Sequence, residues 1–294
     1  MELRVLRYFQ AVVQERNISR AALQLHVSQP TISRQLHDLE EELGIVLFER
    51  GSRNIQLTDS GDYFSNQVNQ ILALTDKTLA NIHEDQDISG NIVIGSAEAR
   101  SFLTIAQSFN ALQKRYPHIQ IDVISTNADQ IRTSLKSGYY DFGIIMEPGD
   151  KTGYDFMRLP GESRWGLLVS NHSPLAAQDH IELTDLANEK LIISSQHGMT
   201  ELLNDWLGGS ATKLTIVATY TLLYNASLLV SAGVGSALCI DGIVNTNQSD
   251  LTFVPIKPRF TAGTSLVWHQ GQRHSAAAEA FLKQLSADID QPLP

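Results

Sequence analysis

The chain has one cysteine, Cys239, in 294 residues, so no intramolecular disulfide can staple it. Its nine histidines show no paired ligand spacing, and no metal site or cofactor is expected. No glycine-rich phosphate loop and no G-x-S-x-G elbow occurs. Apolar runs are short or broken by glycine, as at 228–240, so no membrane span is expected. No leader-like segment is read at the start, and a cytoplasmic location is expected. Positive charge is also scarce: 22 Lys and Arg stand against 32 Asp and Glu, a formal net charge of −10. Such an acidic chain will not cling loosely to bulk DNA.

One stretch nevertheless has the layout of a DNA reader. Residues 19–57 contain a short helix with Ala21 and Ala22, a tight turn at His26-Val27, and a second helix opening at Ser28-Gln29-Pro30. In that second helix Ile32, Leu36, Leu39 and Leu43 step by 4, 3 and 4, which buries one face. The opposite face carries Gln29, Thr31, Ser33, Arg34 and His37, side chains able to meet base edges and phosphates. Ser28 is a suitable N-cap, and Pro30 fits the first turn, where its missing N–H costs nothing. Phe48 to Leu57 reads as two short strands around a Gly-Ser turn, a wing with Arg53 near its tip and within reach of a minor groove. The plainer alternative is a small helical bundle with a polar outer face.

Charge is segregated inside this region. Residues 1–60 are nearly neutral, but Glu40, Glu41 and Glu42 lie at the far end of the second helix, whereas Arg20, Arg34, Arg50 and Arg53 lie near the turn and wing. Few phosphate contacts per subunit follow, and tight binding then requires more than one subunit.

The string is more specific than its periodicity. LRYFQAVVQ, SRAALQLHVSQPTISRQLHDLEEELG, LFER and LTDSG, in this order, resemble the N-terminal domain of LysR-type transcriptional regulators. Asn17 departs from the serine more usual there. The resemblance implies a winged helix-turn-helix over 1–58 that binds double-stranded DNA at an interrupted inverted repeat. It places Gln29, Pro30, Ser33 and Arg34 at or near bases, and Thr31 and Arg53 on the backbone or minor groove.

From Thr58 to about Gln86 no proline interrupts a helical pattern. Phe64, Val68, Ile71, Thr75, Thr78 and Ile82 step by 4, 3, 4, 3 and 4, with Leu72 and Leu79 as a second stripe. That spacing is a coiled-coil seam, and we expect pairing with a second subunit. The resemblance implies that 59–88 is a linker and dimerisation helix and that the assembly is a homodimer or homotetramer. An amphipathic helix lying on its own core is the alternative.

Beyond a break at Asp87 to Asn91, strand-like segments alternate with helical ones: NIVIG (91–95), IQIDVIS (119–125), DFGIIM (141–146), FMRL (156–159), RWGLLVS (164–170), KLIISS (190–195), LTIVATY (214–220), GSALCI (235–240), LTFVPI (251–256) and SLVWHQ (265–270). This is α/β patterning. Two similar halves, with crossings near 160 and 262, predict subdomain I (91–160 and 265–294), subdomain II (161–264) and a cleft between them, within a domain over 89–294. GNIVIGS, FNALQKRYPHIQIDV, DFGII, NHSPLA, LANEKLI and SAGVGSALC resemble the effector domain of the same family, which implies a periplasmic-binding-protein-like fold. Leu103 and Ile240-Asp241 depart from that family's pattern.

Ligands of open α/β domains sit at the carboxyl ends of strands. The candidates there are Ser96, Glu98, Arg100, Ser101, Ser125, Thr126, Ser195, His197 and Thr219. Several open helices, whose N-termini favour anions, so a small polar effector is expected and an organic anion preferred, although Glu98 and Glu147 oppose that sign. For any single serine a helix cap is the stronger reading, and the cluster of such segments is the better evidence for a site. Cys239, inside an apolar strand, reads as core packing, with a redox-sensing thiol as the sharper alternative. The sum is an effector-controlled transcriptional regulator and not an enzyme. The rival is an enzyme or solute-binding protein with an accessory DNA-binding domain.

Overall fold

The computed structural model describes residues 1–49, 55–82, 88–147, 149–196, 198–207 and 214–290, the side chains of 80–82 excepted. The chain divides into two compact units, Met1–His83 and Glu84–Pro294.

In the first unit α1 (Leu3–Glu15), α2 (Ile18–Gln24), α3 (Gln29–Leu43) and α4 (Asp59–Ile82) enclose one core. Phe9 is its centre, fully buried, with the rings of Phe64 and Phe48 at 5.1 and 5.3 Å. The starts of α2 and α3 are specified locally. Asn17 caps α2 by accepting from Arg20 N at 3.1 Å, so the departure from serine keeps the cap, the two residues being equivalent in that role. Ser28 caps α3 from outside its first turn, and α3 closes on Gly44 at φ +67°. Glu40 folds back to accept from Leu47 N and Phe48 N, at 2.7 and 3.2 Å, which fixes the approach to the wing. Phe48 and Leu57 form an antiparallel bridge at the base of the wing; its tip, with Arg50 and Arg53, lies outside the described residues.

The expected seam on α4 needs correction. Val68 and Leu72 are 0% and 1% exposed and belong to the unit's own core, and Phe64 packs on Phe9. The reason is α1, whose apolar face covers that stripe. Exposed apolar surface on the second half of α4 is instead Ile71, Leu74 and Leu79.

The second unit is α/β, with β1 (Gly90–Ser96), α5 (Phe102–Arg115), β2 (Ile119–Ser125), α6 (Ala128–Lys136), β3 (Phe142–Met146), β4 (Tyr154–Ser170), β5 (Ile181–Glu182), β6 (Lys190–Ser194), α7 (Met199–Trp206), β7 (Thr215–Tyr220), α8 (Leu223–Ser231), β8 (Ser236–Ile240), β9 (Leu251–Lys257), β10 (Thr261–His269) and α9 (Ala276–Asp288). The order β2-β1-β3-β10-β4-β8-β6-β7 runs through two lobes, with β9 beside β4 and β5. Parallel β2, β1 and β3 carry α5 and α9 over one buried layer, and parallel β6, β7 and β8 carry α7 over a buried layer on one face and α8 over a second on the other.

The 17-residue β4 joins the lobes. Its first part pairs with β10 and its second with β8 and β9. The sequence reads as two strands because Pro160-Gly161 interrupts it. The strand continues because those residues fall at a bulge, where Leu159 to Ser163 faces Thr264 to Ala262. A proline there removes no ladder hydrogen bond, and Gly161 takes φ +90°. The outer strands β2 and β7 leave Val123, Ile216 and Val217 exposed on unpaired edges.

The corrected α4 predicts a contrast. Val68→Asp buries an uncompensated charge and should cost the first unit about 3–5 kcal/mol, whereas Ile71→Asp, at a 38% exposed position, should leave its thermal unfolding nearly unchanged. Equal losses by circular dichroism would remove the distinction drawn between the two stripes.

Candidate DNA-reading face and effector cavity

On α3 the polar face is open to solvent. Gln29, Pro30, Thr31, Arg34 and His37 are exposed, and Ser33 is half-buried. Ser28 Oγ accepts from Thr31 N at 3.3 Å and lies 2.7 Å from Thr31 Oγ1, so the cap is held by two contacts. Gln29 Nε2 donates to Ser33 Oγ at 2.8 Å, one turn on. Arg34 reaches Asp38 only at 4.0 Å, with 83% of its side chain exposed. A pair so exposed holds it weakly, which leaves the guanidinium free for a base edge. His37 is 3.4 Å from Glu41.

In the second unit a cavity of about 60 Å³ opens between the lobes. That is room for a few waters or a compact molecule. Ala97, Glu98, Thr126, Asn127 and Met146 line it from the lobe of β1. Trp165, Ser194, Ser195, Gln196, Met199, Tyr220, Thr221, Leu223, Cys239, Ile240 and Ile243 line it from the other. These are ends of strands and starts of helices, as the fold dictates.

Of the sequence candidates, Glu98, Thr126 and Ser195 line this cavity. Ser96 is buried and turns its hydroxyl back to Ala97 O at 2.8 Å. Ser101 accepts from Thr264 Oγ1 at 2.6 Å. Ser125 is exposed on the edge strand β2, and Thr219 is exposed on β7. Alternation along β7 brings Tyr220 to the cavity instead. Arg100 lines a different, more open groove with Asp241 and Gly242. His197 lies outside the described residues.

Several lining residues were not among the candidates, although Asn127 and Tyr220 fall in the strand-end segments 125–127 and 219–221 that the sequence marks. Asn127 caps α6, accepting from Gln130 N at 3.0 Å. Trp165, on β4, meets Trp206 edge-on at 5.3 Å, and Trp206 stacks on Phe260. Tyr220 donates its hydroxyl to Leu238 O at 2.8 Å, and burial raises its pKa far above the usual tyrosine value. Strand parity chooses among the residues of those segments and the crossing of β4 brings in Trp165, and both need the fold. Asp241, where the sequence departs from the effector-domain pattern, accepts from Arg164 N at 2.9 Å and so anchors β4 to the end of β8.

The family follows from the whole chain. The description "Bacterial regulatory helix-turn-helix protein, lysR family" matches residues 3–62, and "LysR substrate binding domain" matches residues 85–289. The chain belongs to the LysR family. Within that family it is similar to the uncharacterized HTH-type transcriptional regulator YnfL of Escherichia coli K12, 28% identical over 96% of each chain. It is 29% identical to the HTH-type transcriptional regulator BenM of Acinetobacter baylyi over 87% of this chain and 86% of that one. Its fold is that of the solved LysR family regulator CbnR, with TM-score 0.75 at 21% identity over 98% and 99% of the two chains. As a LysR-type protein it is a DNA-binding transcriptional regulator with an effector-binding domain.

Within this LysR effector domain, Glu147 sits behind the cavity. Burial alone would push its carboxyl up, but hydrogen bonds from Lys151 and Ser265, with the charges of Lys151 and Arg158, hold it below the usual carboxylate range. Cys239 is 2% exposed, and burial pushes its thiol up to about 12. The reactive form is the thiolate, so this sulfur is inert at neutral pH. Iodoacetamide should leave Cys239 unmodified in the native protein and alkylate it in denaturant. Native alkylation at neutral pH, read by mass spectrometry, would contradict that.

Proposed function

We propose that the protein reads an interrupted inverted repeat as a dimer through the N-terminal face of α3, and answers a small polar effector held between the two lobes. The observation that carries the reading is the pairing of an open, capped polar helix face with a polar cavity at strand ends in one chain. Ser28, Gln29, Pro30, Thr31, Ser33, Arg34 and His37 are the DNA-facing residues of this reading. Glu98, Thr126 and Ser195 are its effector contacts, joined by Asn127, Gln196, Tyr220 and Thr221. Ile71, Leu74 and Leu79 offer a second subunit the apolar surface that α1 does not cover. The chain acts as a regulator and not as an enzyme, in keeping with relatives described as transcriptional regulators. Among the described residues no helix is long and apolar enough to cross a membrane, which accords with work in the cytoplasm.

An effector shifts regulation only by preferring one arrangement of the protein over another. α4 is the last helix of the first unit and leads in sequence to the second, so it is the element through which such a preference reaches the DNA-binding helices.

Arg34→Ala tests the DNA-reading face. It should weaken binding to a cognate site by about 1–3 kcal/mol, the scale of a good base contact, and relax the base preference at one position of each half-site. A folded variant with unchanged operator affinity and footprint would move the reading face elsewhere.

A further inference from the structure

The cavity carries its own anion. Glu98, in the loop after β1, spans the cleft to the other lobe, where its Oε2 accepts from Leu223 N, the first N–H of α8, at 2.8 Å. α8 has no side-chain cap of its own, its N-cap being Leu222. The place that a bound carboxylate would take on α8 is therefore filled from within the chain.

Around Glu98 the described lining holds no lysine, arginine or histidine. Arg100 faces the separate groove over Gly242. Lys151 is committed to Glu147. The remaining positive contributions are helix N-termini, each worth about half an elementary charge at most. That of α6 is capped by the Asn127 side chain, and that of α8 by Glu98 itself. That of α7, which opens at Gly198 with no side-chain cap, is left, and a whole negative charge outweighs it. Oε1 of Glu98 has no hydrogen-bond partner among the described residues, and a carboxylate oxygen can accept more than once. Trp165 and Tyr220 add two aromatic faces to the wall, surfaces that attract cations.

We propose that the effector is a compact ammonium-bearing molecule, its cationic head held by Glu98 beside Trp165 and Tyr220 and its polar remainder by Thr126, Ser195 and Gln196. This rests on the cavity being the effector site. It replaces the organic anion favoured by counting helix starts in the sequence. An ammonium bound to Glu98 would also act on the contact that joins the lobes, since the same carboxylate holds α8.

The test is thermal unfolding of the full chain with ethanolamine, putrescine and choline chlorides, set against sodium glycolate, pyruvate and succinate at matched ionic strength. A ligand that binds the folded state raises its melting temperature. Glu98→Gln keeps an acceptor for Leu223 N and removes the charge; Ser195→Trp fills the cavity, with Thr126→Trp in its place if the unliganded variant melts early. A rise of several degrees with an amine, lost in both variants, is expected. A rise with carboxylates alone, lost in the filled variant, overturns the amine assignment and leaves the cavity as the effector site. An amine effect that survives Glu98→Gln overturns the role of that carboxylate. A shift that survives filling, or no shift with either class, overturns the cavity reading together with the assignment.

Discussion

Two strands, β4 and β10, carry the backbone from one lobe to the other, and the cavity between the lobes depends on that crossing. Their antiparallel pairing ties the lobes along one side. The carboxyl ends of the remaining strands must then face each other across the other side. The crossing also requires a sharp reorientation of β4 near its middle. Pro160-Gly161 opposite Gly263 supplies it as a bulge, a device that bends a strand without ending it. Gly166 continues the same logic: a Cβ there would lie 2.4 Å from Val254 O and from the Phe253 ring, so the second part of β4 can press against β9 only without a side chain.

Once the lobes are tied on one side, contacts across the mouth decide how they stand. Glu98 on Leu223 N is one such contact, and Arg100 over Gly242 is another. Both come from the loop between β1 and α5, so a single loop of one lobe grips the other. A ligand that engages this loop acts on the lobe arrangement directly.

The helix-turn-helix was legible because its information is local. The cap at Ser28, Pro30 in the first turn of α3, and the 4-3-4 apolar spacing are each set within a few residues, and the structure uses each where it falls. The α/β alternation was legible for the same reason. Periodicity failed where a choice between partners was needed. Val68, Ile71 and Leu72 all carry apolar side chains on α4, and nothing in their spacing says that α1 has already taken two of them. The cavity shows the same limit. Ser96 and Thr219 stand at strand ends, as the sequence indicates, but strand parity and a backbone acceptor turn them away, while Tyr220 and Trp165 turn in. Charge shows the limit too: helix starts counted from sequence suggest an anion, and only the tertiary fold reveals that Glu98 lies on one of them.

The central claim is that ligand binding between the lobes is what alters operator affinity. The sequence contains three tryptophans, which makes a direct reading available. Trp165 lines the cavity, Trp206 packs on it, and Trp268 lies buried in the core of the other lobe against Phe142. Fluorotryptophan-labelled protein should give three fluorine resonances, assignable by single Trp→Phe variants. Titration with a compound that changes operator affinity should move Trp165 first, Trp206 with it, and leave Trp268 in place. A compound that changes operator affinity while the Trp165 resonance stays fixed would contradict the account.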